Sequence, residues 1–197
     1  AASNPFAEES TLPLHYPAFD KIKNEHYAPA FAEGMRQHAA EIEAIANNKA
    51  APTFDNTIVA MERAGRLLSR VSIVFGSMTG ANTNDELVKL DKELAPKRSA
   101  HSDAIRLNEK LYARVKALYD KRDSLKLDAE SKYLLERYHT DFVRAGARLS
   151  NADKQKLKDY NAQLATLQTT FSQNVLKEAN ASALVVDTRA ELAGMSD

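Results

Sequence analysis

Cysteine is absent from this 197-residue chain. Disulfides, thiolate metal ligands and cysteine nucleophiles are excluded together, while the redox compartment stays open, because exported and cytosolic proteins alike can do without cysteine. An excess of either charge is also missing. The 27 basic and 27 acidic residues alternate along the chain, so no basic surface of the kind that tracks nucleic-acid phosphates is expected, and no nucleic-acid partner. No apolar run approaches the ~20 residues that a spanning helix needs. No charged start followed by an apolar stretch marks a retained signal peptide. The polar helix faces mix both signs, unlike the Lys- and Arg-rich faces of membrane-lying helices, so no membrane partner is expected either. Glycine and proline, six of each, are too sparse for a fibrous or low-complexity chain. What remains is an ordinary globular composition, long enough to bury a core without covalent staples.

Catalytic signatures are missing as well. A helix-borne zinc hydrolase needs two histidines one turn apart with a glutamate after the first, so that both rings face one metal and the carboxylate activates its water. The five histidines, His15, His26, His38, His101 and His139, are followed by Tyr, Tyr, Ala, Ser and Thr, and none has a histidine four residues on. Glu136 and His139 have the Glu-x-x-His spacing of a di-iron helix, but no second such pair exists, so an interhelical or surface hydrogen-bonding role is expected. His101 with Asp103, and Glu25 with His26, are expected on solvated faces. There is no Gly-x-Ser-x-Gly elbow and no phosphate-binding glycine loop. Gly34, Gly65, Gly76, Gly80 and Gly146 fall inside or at the ends of helical patterns, where glycine marks close contact or a bend. No catalytic, cofactor-binding or metal-ligating residue is therefore assigned, and the chain alone is expected to be inactive.

Helical periodicity is what the sequence does contain. Residues 1–23, with Pro5, Pro13 and Pro17, read as an extended arm whose Phe6, Leu12, Tyr16, Phe19 and Ile22 need burial. Apolar residues then recur every three or four positions. The expected helices run from Glu25 to Asn47, from a Thr53 cap through Phe54 to Thr79, from beyond Asn84 with Pro96 kinking or splitting it, and from Glu109 to Arg122. Two more follow caps at Asp128 and Ser150. The second is expected to present Met61, Leu68, Val71, Phe75 and Met78 on one face. The fifth shows Leu135, Tyr138, Phe142 and Leu149. The sixth carries a seam of Leu157, Tyr160, Leu164, Leu167 and Phe171, expected to be buried against the fifth in a helical hairpin. The expectation is an all-α, antiparallel helical bundle of about six helices, with the arm at 1–23, the bundle at 24–182 and a short extended segment at 183–197 leading to a missing remainder. Ser196 or Asp197 would cap a further helix, and Ala1-Ala2-Ser3 suits a mature end, hence a periplasmic location, with a cytoplasmic one as the alternative.

A resemblance rests on particular strings. Asn4-Pro5-Phe6, Ser10-Thr11-Leu12-Pro13, Phe19-Asp20-Lys21-Ile22, Tyr27-Ala28-Pro29-Ala30-Phe31 and Phe54-Asp55-Asn56-Thr57-Ile58 occur in an order and spacing similar to the N-terminal region of bacterial peptidyl-dipeptidases of the thimet oligopeptidase and oligopeptidase A family. The likeness continues through Thr83-Asn84-Asp85-Glu86-Leu87, Phe142-Val143-Arg144-Ala145-Gly146-Ala147 and Leu192-Ala193-Gly194-Met195-Ser196. The resemblance implies the non-catalytic part of a zinc metallopeptidase, forming the wall and mouth of a channel that admits short peptides, with zinc and its ligands downstream. It implies the remainder of the same polypeptide and short peptide substrates as partners, and release of C-terminal dipeptides. An oligopeptidase A-like endopeptidase is the alternative within the family. A free-standing helical module that binds peptides or proteins is the alternative outside it. Self-association through apolar surface left bare in a fragment is a further expectation.

Overall fold

The computed structural model describes residues 4–195. Ala1-Ala2-Ser3 and the cap candidates Ser196 and Asp197 lie outside the described residues. The described chain is all-α. Helix α1 is Asn24–Ala46, and Pro29 lies within it without ending it. Helix α2 covers 55–63, a π-helical turn Asp55–Val59 running into Ala60–Arg63. Then come α3 (Arg66–Ala81), α4 (Asp85–Arg106), α5 (Glu109–Tyr119), α6 (Ala129–Arg144) and α7 (Asn151–Ala181). Most starts are set by local polar chemistry. Side chains of Asn84, Asn108, Asp128 and Ser150 accept the backbone N–H three residues on, each worth about 1 kcal/mol. Thr53 accepts from the Asn56 N–H at 3.0 Å while the Asn56 side chain accepts from the Thr53 N–H at 2.8 Å, the reciprocal form of cap.

The second expected helix is not continuous. It breaks at Ala64, which is extended, and Gly65, at φ +74°. A side chain there would be strained by the left-handed backbone and would meet the His38 ring at 2.9 Å; the Glu41 carboxylate accepts the Gly65 N–H at 2.6 Å. Glycine at this point is a hinge, not a helix-interior residue. The break parts the expected apolar face. Met61 joins a core with Ile42, Ile45, Ile58, Leu111, Val115, Leu118, Leu135 and Phe142. Val71 and Phe75 join another with Phe6, Tyr27, Phe31, Val74, Leu87 and Leu94, against which Leu68 and Met78 pack. Conversely, α4 runs through Pro96 as one helix, so the expected split does not occur.

Packing also corrects the partner of the longest helix. Helix α7 does lie antiparallel to a neighbour, but that neighbour is α4, not α6. Asn161 donates to Asp103 at 2.8 Å, and twelve residues later Gln173 donates to the Val88 carbonyl at 3.0 Å. The chain turns between α6 and α7 at Gly146, φ +96°, whose missing side chain leaves room for Leu157 and Leu149. At Gly34 a Cβ would lie 2.9 Å from the Leu68 backbone, so α1 and α3 approach closely there. Gly76 and Gly80 have nothing within 4 Å of the Cβ position, so close contact explains neither.

The arm is partly seated. Phe6 is buried beside Tyr27 at 5.4 Å between ring centres, and Arg70 donates to the Phe6 carbonyl at 2.9 Å. Ile22 packs at the edge of the same core. Leu12, Tyr16 and Phe19 remain exposed. Residues 183–187 have no regular structure and are exposed.

Candidate functional site

Two surfaces stand out, both on α7. The first is its apolar face. Tyr160, Leu164, Leu167, Phe171 and Val175 recur at helical spacing, and each is 50–70% exposed. The seam expected to close a hairpin is therefore bare. A run of five large side chains over four turns is more than scattered surface hydrophobics, which occur singly.

The second is a groove of about 560 Å³ between α4 and α7, closed at one end by the C-terminal turn of α6. Its walls come from helical spacing. Arg98, Ser102 and Arg106 on α4 face Leu157, Asn161 and Ala165 on α7, and Arg144 projects from the end of α6. Asp103 is buried in the wall. One of its carboxylate oxygens accepts from Asn161, and the other, also buried, has no partner. Arg98 is held by Asp91 at 2.7 Å. Arg106 and Arg144 have no acceptor among the described residues.

The histidines are placed differently from expectation. His101 and Asp103 do not sit on a solvated face. His101 is half-buried and its Nε2 meets Nδ1 of His38, 63 residues away in sequence, at 3.0 Å. Burial lowers the pKa of both; the nearby Glu41 charge opposes this at His38, and His38 reinforces it at His101. His139 is buried, stacked on Tyr119 with 3.7 Å between ring centres. Arg148 donates to the Tyr112 hydroxyl at 2.9 Å, and both approach His139 Nε2 at 3.4 Å. Nε2 is thus an acceptor, and burial, then the Arg148 charge, lowers this pKa too. Glu136, its sequence partner in the Glu-x-x-His spacing, turns instead to Arg122 at 3.5 Å. His26 caps α1 by accepting the Lys23 N–H at 3.0 Å, beside an exposed Glu25. His15 contacts the Ser10 carbonyl at 2.9 Å.

These residues do not fit a zinc site. Among the described residues no three His, Asp or Glu side chains converge, and the one close imidazole pair is satisfied by its mutual hydrogen bond. Nor is any described helix long and apolar enough to cross a membrane.

Sequence reasoning missed the groove, because Arg106, Arg144 and Asn161 are unremarkable in their own segments. Asp103 was singled out only as a neighbour of His101.

No protein-family model matches the chain. It is 50% identical over 194 residues, 98% of its length, to the dipeptidyl carboxypeptidase of Escherichia coli K12, and spans 28% of that protein. The dipeptidyl carboxypeptidase of Salmonella typhimurium is 49% identical over 195 residues, of which the chain spans 29%. Oligopeptidase A of Escherichia coli K12 is 24% identical over 185 residues, 94% of this chain and 27% of the relative. The chain thus covers less than a third of each relative's length. At about twice the identity it shares with oligopeptidase A, it matches the N-terminal region of the dipeptidyl carboxypeptidases, and the resemblance read from its residues is borne out.

Proposed function

We propose that this chain is a non-catalytic helical domain of a dipeptidyl carboxypeptidase-type zinc peptidase, acting as wall and mouth of the channel that receives short peptides. The observation that carries this reading is the bare face of α7. Five large apolar side chains in register are costly to leave in water, at roughly 25 cal/mol per Å², and the relatives' further length supplies something to cover them. The identity, twice as high to the dipeptidyl carboxypeptidases as to oligopeptidase A, favours removal of C-terminal dipeptides over internal cleavage. The domain contributes shape and a docking face. In the whole protein the metal and the residues that polarise the scissile carbonyl come from outside this segment, consistent with a chain in which no His-Glu-x-x-His occurs.

A chimera tests this. The chain replaces the matching segment of the Escherichia coli relative, and dipeptide release from a blocked tripeptide is measured. Release is expected from the chimera and lost when Leu167 and Phe171 are both changed to Glu. Chelator-sensitive release by the chain alone, or a chimera indifferent to the two glutamates, would overturn the reading.

A further inference from the structure

We propose that the groove between α4 and α7 is a binding site for the free carboxylate end of a peptide. Charge selects the class of ligand. Arg98 is neutralised by Asp91, which leaves the guanidiniums of Arg106 and Arg144 opposed by the single carboxylate of Asp103. The net balance is one positive charge, suited to a monoanion. A dianionic phosphate would confront the Asp103 carboxylate at close range.

The unpaired oxygen of Asp103 narrows the class further. A buried carboxylate oxygen without a donor is costly and rare, and here it lies in the wall of an open groove. The ligand that satisfies it brings an N–H donor next to its own negative charge. The last residue of a peptide has both, a carboxylate for the two arginines and an amide N–H one bond beyond the Cα. Guanidinium–carboxylate pairs are among the stronger polar contacts and favour a planar acceptor. Size agrees. The volume of about 560 Å³ is within the range of small-ligand sites. The α4 wall from Ala95 to Arg106 runs about 16 Å at ~1.5 Å per residue, long enough for about four extended residues. Leu157 and Leu164 on the opposite wall offer apolar contact to the side chains.

The choice of a peptide rests on the peptidase reading of the whole protein, but the test does not. The 197-residue chain is titrated with an N-terminally fluorescein-labelled Ala-Ala-Ala peptide bearing a free carboxylate, followed by anisotropy. Saturable binding is expected. It weakens by about tenfold or more for the C-terminal amide, for the peptide N-methylated at its last amide, and for the R106Q/R144Q double variant, since each loses a charge-assisted hydrogen bond. Both arginines are exposed, and an unchanged circular dichroism spectrum verifies that the variant folds. The proposal falls if no saturation appears up to about 10 mM, if the amide binds as well as the acid, or if the double variant binds as wild type. Displacement by inorganic phosphate at lower concentration than by unlabelled peptide would also overturn it, in favour of a phosphate site. A negative result here leaves chimera activity unaffected, and a failed chimera leaves this binding measurable, so the two readings fail separately.

Discussion

His38 on α1 and His101 on α4 meet nitrogen to nitrogen at 3.0 Å, and a hydrogen bond between two imidazoles requires one of them to be neutral. Burial depresses both pKa values below the ordinary 6.5. Other charges near the pair are Glu41 of α1 and, in the cavity that His38 lines, Arg106 of α4, Glu62 of α2, and Arg137 and Asp141 of α6. A base whose folded pKa is lowered favours the unfolded state when protonated. Its stabilising contribution is therefore complete above the unfolded value and fades as pH falls through the folded one. Thermal unfolding of the chain is expected at lower temperature as pH drops from about 7 toward 5, with part of that slope removed by H38Q/H101Q. A slope identical in the double variant would refute the assignment. His139, also depressed, supplies the portion that persists.

Two helix glycines should respond oppositely to alanine. At Gly34 the added methyl meets the Leu68 backbone at 2.9 Å, and overpacking of this kind costs about 1–3 kcal/mol. Gly76 faces open space within α3, so G76A gains about 0.5–1 kcal/mol from helix propensity alone. Chemical denaturation of the two variants reads the sign directly.

Phe171 is 70% exposed, so F171A should change the stability of the chain by no more than about 0.5 kcal/mol. Leu135, fully buried, should cost about 2–5 kcal/mol on truncation to alanine. The same Phe171 change is expected to weaken self-association, read by sedimentation velocity across the micromolar range. A chain that is monomeric throughout, with or without the ring, would show that the α7 face does not pair with itself.

Arg114 is buried and ties the link between α1 and α2 to α5. Its guanidinium donates to the Asn48 and Ala50 carbonyls at 2.8 and 3.1 Å and to the Asn56 side chain at 2.7 Å. Lysine cannot reproduce that fork, so R114K is expected to lose about 2 kcal/mol. An unchanged melting temperature would mean that water replaces the lost contacts.

Helix starts were legible in the sequence because capping is local. Asp128 and Ser150 act through an N–H three residues away, and Thr53 does the same with Asn56. Partners were not legible. The seam of α7 signalled apolar surface, but periodicity does not say what covers it, and a short turn after α6 favoured the wrong neighbour. Likewise His38 with His101, and Asp103 with Asn161, join positions 63 and 58 residues apart, beyond any spacing rule. Gly65 carried a signal that was misread, since glycine within a helical pattern also marks a left-handed stop, and only the close approach of His38 distinguishes the two.

Helix α1 alone supplies fully buried residues to both apolar clusters, Tyr27, Ala30 and Phe31 to one and Ile42, Ile45 and Ala46 to the other. Between those two sets lie His38 and Glu41, which grip the Gly65 hinge. Cooperativity between the halves is thus transmitted along a single rod. Loosening its middle would uncouple them, turning one melting step into two, with the α5–α6 half persisting after the arm and α3 have let go.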